Sequence, residues 1–226
     1  VARSLPEGLL EREAKFPGRT LDIILAENSR NAGEDFMEEL RFSLPPGYPL
    51  QHRIGMVETS IGKMVPIMTL EEMQEDPLRV FAEAYNMLIL DKNGFKGSIP
   101  FIPELSLKKD MKAWVDRKAF IHNMGHTCAA YAGYVKYPQA VYMHEILADE
   151  AILDFTRTVM LNSARILLAT YPEAFAWNDL VFHIEDLLNR FQNKKLRDTI
   201  FRVGCDLKRK LSANDRFMGV IHLAKS

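Results

Sequence analysis

The chain has 226 residues, 47% of them hydrophobic and 26% charged, and its formal net charge is −1. That is enough apolar material for one large domain or two small ones. The near-neutral balance excludes the basic excess of a nucleic-acid binder and the like-charge block of a disordered tail.

No apolar run reaches membrane-span length, and VARSLPEGLLEREAKFPG holds no signal-peptide apolar region. Neither a membrane nor a nucleic-acid partner is expected. Cys128 and Cys205 stand outside any CxxC pair and form no disulfide framework, which fits a reducing cytoplasm. The chain opens on Val1 rather than Met, which fits a trimmed chain.

Residues 21–28, LDIILAEN, read as a buried strand running into a turn, because the apolar run stops at Glu27 and Asn28. A helix is expected next, through about Leu40, with Phe36, Met37 and Leu40 at helical spacing; Pro45, Pro46 and Gly47 end it. Two strands are predicted over 54–67 and 78–91, where β-branched and aromatic residues partly alternate; the acidic LEEMQEDP lies between them. DKNGFKGSIPFIP reads as a structured loop and a domain boundary.

From Leu107 onward the pattern is helical. One helix is expected from Asp110 through His126. A long one is expected over 141–171, with Ile146, Leu147, Leu153, Met160, Ile166 and Leu167 at helical spacing and Pro172 ending it. Another covers 178–191 on Leu180, Ile184, Leu187 and Leu188. Short helices follow around 196–203 and 215–224.

Within KAFIHNMGHTCAAYAGY, a regular helix sets His126 roughly 80° and Asn123 roughly 140° from Lys118, with His122 between Lys118 and His126. These polar groups fan over one broad face. Gly125, Ala129 and Gly133 repeat at i, i+4, i+8 beside them, a smooth stripe that suits a ligand floor or helix packing. A neutral lysine amine can take an alcohol proton if burial or a nearby cation lowers its pKa. Asn123 offers a donor and an acceptor to an oxygen whose charge changes, and His126 can orient a hydroxyl. Spacing alone also suits a solvated face. HEILADE is not HExxH, so no metal is expected; Cys128, Trp114 and Trp177 read as packing residues.

K-x4-N-x2-H followed by AAYAGY resembles the signature of the long-chain polyol dehydrogenases. AENSRNA at 26–32, DKNGFKGSIPFIPEL at 91–105, NRFQNKKLRDTIFRVG at 189–204 and RKLSANDR at 209–216 resemble further segments of that family, in family order. The last two favour the mannitol-1-phosphate 5-dehydrogenase subgroup. The resemblance implies that Lys118 is the general base and that Asn123 stabilises the reacting oxygen. It places His126 near the substrate, and Asn28 beside both cofactor and substrate. Arg209 and Lys210 match the RKL segment and suit a sugar phosphate, or else a helix-end charge pair.

Two departures stand out. IGKMVP at 61–66 puts Gly62 and Lys63 where the family often has VDRIVP. No GxGxxG occurs, so NAD is expected to be bound mainly by a domain missing from this chain. The end at Ser226 also falls short of the family's.

The fold class expected is α+β and predominantly α-helical. Residues 1–103 form the remnant of an α/β Rossmann-like domain with a β-ribbon, and 104–226 an all-α substrate and catalytic domain. The expected activity is hydride transfer between a polyol phosphate and NAD, converting mannitol 1-phosphate to fructose 6-phosphate. Alternatives are a dehydrogenase of an unphosphorylated polyol or hexonate, and a catalytically silent helical module that binds a sugar phosphate or a partner chain.

Overall fold

α1 (Pro6–Lys15) starts on Pro6, whose missing N–H is an orphan at that position in any helix. β1 (Leu21–Leu25) and β2 (Ile54–Ile61) then run parallel, Leu21 opposite Ile54 through Leu25 opposite Glu58. Parallel neighbours need a crossover, and α2 (Ala32–Ser43) supplies it. The computed structural model describes residues 1–27 and 31–225. α3 (Leu70–Glu75) lies between β2 and β3 (Leu88–Asp91), and β4 (Leu105–Lys108) follows. β3 pairs antiparallel with β2 and parallel with β4, so the sheet order is β1-β2-β3-β4.

Helices fill the rest. α4 (Met111–Arg117), a π-helical turn (Lys118–Asn123) and α5 (Met124–Lys136) run on without a break. α6 (Met143–Ile146), α7 (Glu150–Thr170) and α8 (Trp177–Phe191) come next, then the short α9 (Ile200–Gly204), α10 (Leu207–Lys210) and α11 (Met218–Leu223). The expected class, α+β and mostly helical, is the one observed. The chain divides into two units: Val1–Gly62 with Asn86–Val115, and Lys63–Tyr85 with Asp116–Ser226.

The first unit holds the sheet. Its core is Leu9, Leu40, Leu44, Leu50 and Ile54, with Phe36, Met37 and Tyr48 packed around it. The loop at 91–103 is pinned here: Asp22 accepts the N–H groups of Lys96 and Gly97 at 2.7 and 3.0 Å. Gly55 has no room for a side chain beside Asp22 and the Gly94 carbonyl, which is why the loop closes on glycines.

The second unit is a helical core. α5 contributes Ala129 and Ala130, α7 Met160, Ala164 and Leu167, and α8 Leu180, Ile184, Leu187 and Phe191, all buried. Segment 63–85 belongs to this unit. Glu83 accepts the Met64 N–H at 2.6 Å and pairs with Arg190, whose guanidinium lies 4.6 Å from the Tyr85 ring centroid.

That segment explains the main misreadings. The strand expected over 54–67 stops at Ile61 because Met64 bonds Glu83 instead of a neighbouring strand. The strand expected over 78–91 is β3 alone, since Glu83 and Tyr85 are claimed by Arg190. The acidic stretch between them forms α3, set by a capping box in which Thr69 and Glu72 exchange bonds with each other's N–H. The helix expected over 141–171 is broken, because Asp149 accepts the Ala151 N–H at 2.9 Å and starts α7 afresh.

Candidate active site

Lys118 and Asn123 open and close the π turn. A π turn bonds residue i to i+5, and here the Met124 N–H donates to the Ala119 carbonyl. The regular wheel read from the sequence is therefore corrected. Each residue of a π turn advances less than the roughly 100° of a regular helix, so Asn123 stands closer in angle to Lys118 than the roughly 140° expected. Such turns are rare and gather at functional sites.

His126 sits one turn further on. Its ring stacks on Phe191, with centroids 4.2 Å apart and planes 4° from parallel. His122 meets the same ring at 5.6 Å. His126 Nε2 lies 3.3 Å from Asp198 Oδ2 without hydrogen-bond alignment. Asp198 is already engaged by Arg202, at 2.6 Å on each oxygen. Burial pushes the His126 pKa down to about 4 against the pull of Asp198, and Arg202, Arg216 and Lys210 push the same way.

Two more histidines share this chemistry. Burial holds His122 well below its usual range, and His126, Lys118, His183 and Arg190 push the same way. Burial and the neighbouring Arg117 and Arg190 bring His183 to about 2. All three imidazoles are therefore neutral at pH 7, each able to donate at one nitrogen and accept at the other. Burial also lowers Arg117 to about 10.

The small-residue stripe has a different job from a ligand floor. A Cβ on Gly125 would strike the Met160 side chain, and one on Gly133 would strike Ile146. The stripe lets α7 and α6 approach α5, so the helix-packing alternative holds.

Lys210 is buried, and its ammonium donates to the carbonyls of Val203, at 2.6 Å, and Cys205. These are C-terminal carbonyls of α9, so Lys210 closes a helix end. Arg209 is exposed and pairs with Asp206 at 2.5 Å and Asp215 at 3.1 Å. Asn28 lies outside the described residues. Glu145 accepts the N–H groups of Val141 and Tyr142 as a cap, and His144 stacks on Tyr142. Among the described residues no group of His, Cys, Asp and Glu converges on a metal-sized site, and no helix is long and apolar enough to cross a membrane. Cys128 is buried, and burial lifts its thiol to about 11.

Residues 110–225 match the family model of the mannitol dehydrogenase C-terminal domain. The chain belongs to this family. Two solved structures share its fold. One is a D-sorbitol dehydrogenase in substrate-free form, 16% identical with a TM-score of 0.77, matched over 98% of this chain and 47% of its own. The other is Pseudomonas fluorescens mannitol 2-dehydrogenase in ternary complex with NAD and D-mannitol. It is 17% identical with a TM-score of 0.68, matched over 88% of this chain and 42% of its own. The chain thus spans less than half the length of either.

Within this mannitol dehydrogenase C-terminal domain, Lys118, Asn123 and His126 fall on one continuous helix. Lys210 is close enough to His126 to shift its pKa, although the Lys210 ammonium bonds carbonyls. Sequence reasoning missed Arg216, which donates to the Thr127 hydroxyl at 2.9 Å and the Asn123 carbonyl at 3.4 Å. Its only signal was its place at the end of RKLSANDR. Asp198, Phe191 and His183 were missed too; each lies far along the chain from 118–126, so no local spacing could mark them.

Proposed function

We propose that the chain carries the substrate side of an NAD-linked polyol oxidoreductase, with Lys118 as general base. The observation that carries this reading is the π turn that runs from Lys118 to Asn123, followed one turn on by a neutral His126. Lys118 accepts the hydroxyl proton of the carbinol as that carbon is oxidised. Asn123 donates to the oxygen as negative charge builds on it. His126, stacked on Phe191, orients a neighbouring hydroxyl.

NAD, when bound, takes the hydride. The described residues do not fit its pyrophosphate. The helix that follows β1 begins beside Gly33, whose N–H already donates to the Glu58 carboxylate at 2.7 Å. That N–H is therefore not open to a phosphate. NAD binding is assigned to a part of the enzyme beyond the described residues.

For the substrate we infer mannitol 1-phosphate, converted to fructose 6-phosphate, from the family-like segments 189–204 and 209–216. A second reading, an unphosphorylated polyol, is favoured by the charges there: Arg209 and Lys210 are engaged by Asp206, Asp215 and two carbonyls. The mannitol 2-dehydrogenase that shares the fold also holds D-mannitol. Comparing kcat/KM for the two substrates in the full-length enzyme decides between them. A preference of about 100-fold or more for the phosphate supports the first reading, since charge-assisted contacts of about 3 kcal/mol are worth that much. Equal values, or a preference for mannitol, support the second.

A further inference from the structure

The π turn is held from outside itself. Ser163 of α7 is buried, and its hydroxyl donates to the Phe120 carbonyl at 2.6 Å. Phe120 sits in the middle of the turn and is fully buried. Its ring rests on Gly219 of α11, where a Cβ would lie 2.7 Å from Phe120 Cε1. Arg216 then reaches the Asn123 carbonyl at the end of the turn.

A π turn widens the helical ring by one residue and is rare in helices. Buried carbonyls there need well-placed donors. A hydroxyl brought in from a neighbouring helix supplies one without depending on the turn's own N–H groups. Ser163 has another partner open to it, since a helical serine can bond the carbonyl four residues back. It crosses to the π turn instead.

We propose that Ser163 is a positioning residue, holding the Lys118–Asn123 turn in its π register so that Lys118 and Asn123 share one face. This rests on the reading of Lys118 as the base. Ser163 touches no substrate in this account; it acts through the Phe120 carbonyl.

The test compares Ser163→Ala with the parent in the full-length enzyme, reading kcat, KM and hydrogen–deuterium exchange over 118–125. Loss of the hydroxyl is expected to lower kcat about tenfold with KM within about twofold, short of the ~100-fold that a 1 Å displacement can cost. Exchange over 118–125 is expected to speed up about tenfold while the rest of α5 is unchanged. Ser163→Thr, which keeps a hydroxyl, is expected to recover most of the loss. Should Ser163→Ala fail to fold, Ser163→Cys keeps nearly the same volume with a weaker donor and is read the same way.

A fall in kcat together with faster exchange in the turn supports the proposal. Either change without the other overturns it, because a merely structural serine would move exchange or melting temperature and leave kcat alone. Failure of the underlying reading looks different. Lys118→Ala would then turn over normally, while Ser163→Ala would still loosen the turn.

Discussion

Segments 118–126 and 203–216 lie in the same unit and handle polar groups in opposite ways. In the first, two histidines are neutral: His122 and His126 are held uncharged by burial, and His126 Nε2 has no aligned hydrogen-bond partner. In the second, the groups are charged and committed. Lys210 bonds two carbonyls, Arg209 bonds two aspartates, and Arg216 bonds Asp215 as well as Thr127. A site that binds a ligand must keep capacity in reserve, whereas a scaffold uses it up. The contrast fits the proposed function, with chemistry in the first segment and support in the second.

Acid should break this arrangement first. The folded pKa values of His126 and His183, about 4 and 2, lie below the unfolded value near 6.5, and His122 is shifted the same way. Below pH 6.5 the unfolded chain takes up protons that the folded chain refuses, so stability falls as pH drops through that window. Each histidine contributes at most about 1.4 kcal/mol per pH unit. Unfolding free energies from urea melts at pH 7 and pH 5 should differ by a few kcal/mol, and His126→Gln should shrink the difference. A flat profile from pH 7 to 5 would mean these histidines are not buried neutral.

On the proposed reading, Asn123→Ala removes a donor to the reacting oxygen. Its kcat should fall about 100-fold, the scale of a lost oxyanion donor, with folding intact. Retained turnover would remove Asn123 from the chemistry.

The second segment should respond in stability instead. Lys210→Met leaves two carbonyls at the end of α9 without their donor, and should lower unfolding stability by about 2 kcal/mol. The ratio of kcat/KM for mannitol 1-phosphate over mannitol should not change. A selective loss with the phosphate would return Lys210 to the substrate. Arg209→Ala breaks exposed ion pairs, and by denaturant melts it should cost about 0.5 kcal/mol or less.

Much of this was legible in the sequence. α8 shows as Leu180, Ile184, Leu187 and Leu188, whose spacing one buried face explains. Lys118, Asn123 and His126 were visible as a motif, and the family match covers them. Their mutual geometry was not, because nothing in KAFIHN announces a π turn; Ser163, Arg216 and Gly219, which surround it, lie 40 to 100 residues downstream. The strand expected over 78–91 shrank to Leu88–Asp91 for a similar reason. Its residues have strand character, but a buried ion pair between Glu83 and Arg190 outweighs it. Gly125 and Gly133 were readable as a stripe, and only Met160 and Ile146 show what the stripe is for.

The most direct measurement of the central claim is chemical rescue of Lys118→Ala in the full-length enzyme, with polyol oxidation followed while small primary amines are added. The account predicts that the variant loses about 1,000-fold or more in kcat, in line with removal of a general base and its orienting effect. Added amines should restore part of the rate, more for the more basic amines. A Lys118→Ala enzyme that keeps near-full activity without amine would contradict it.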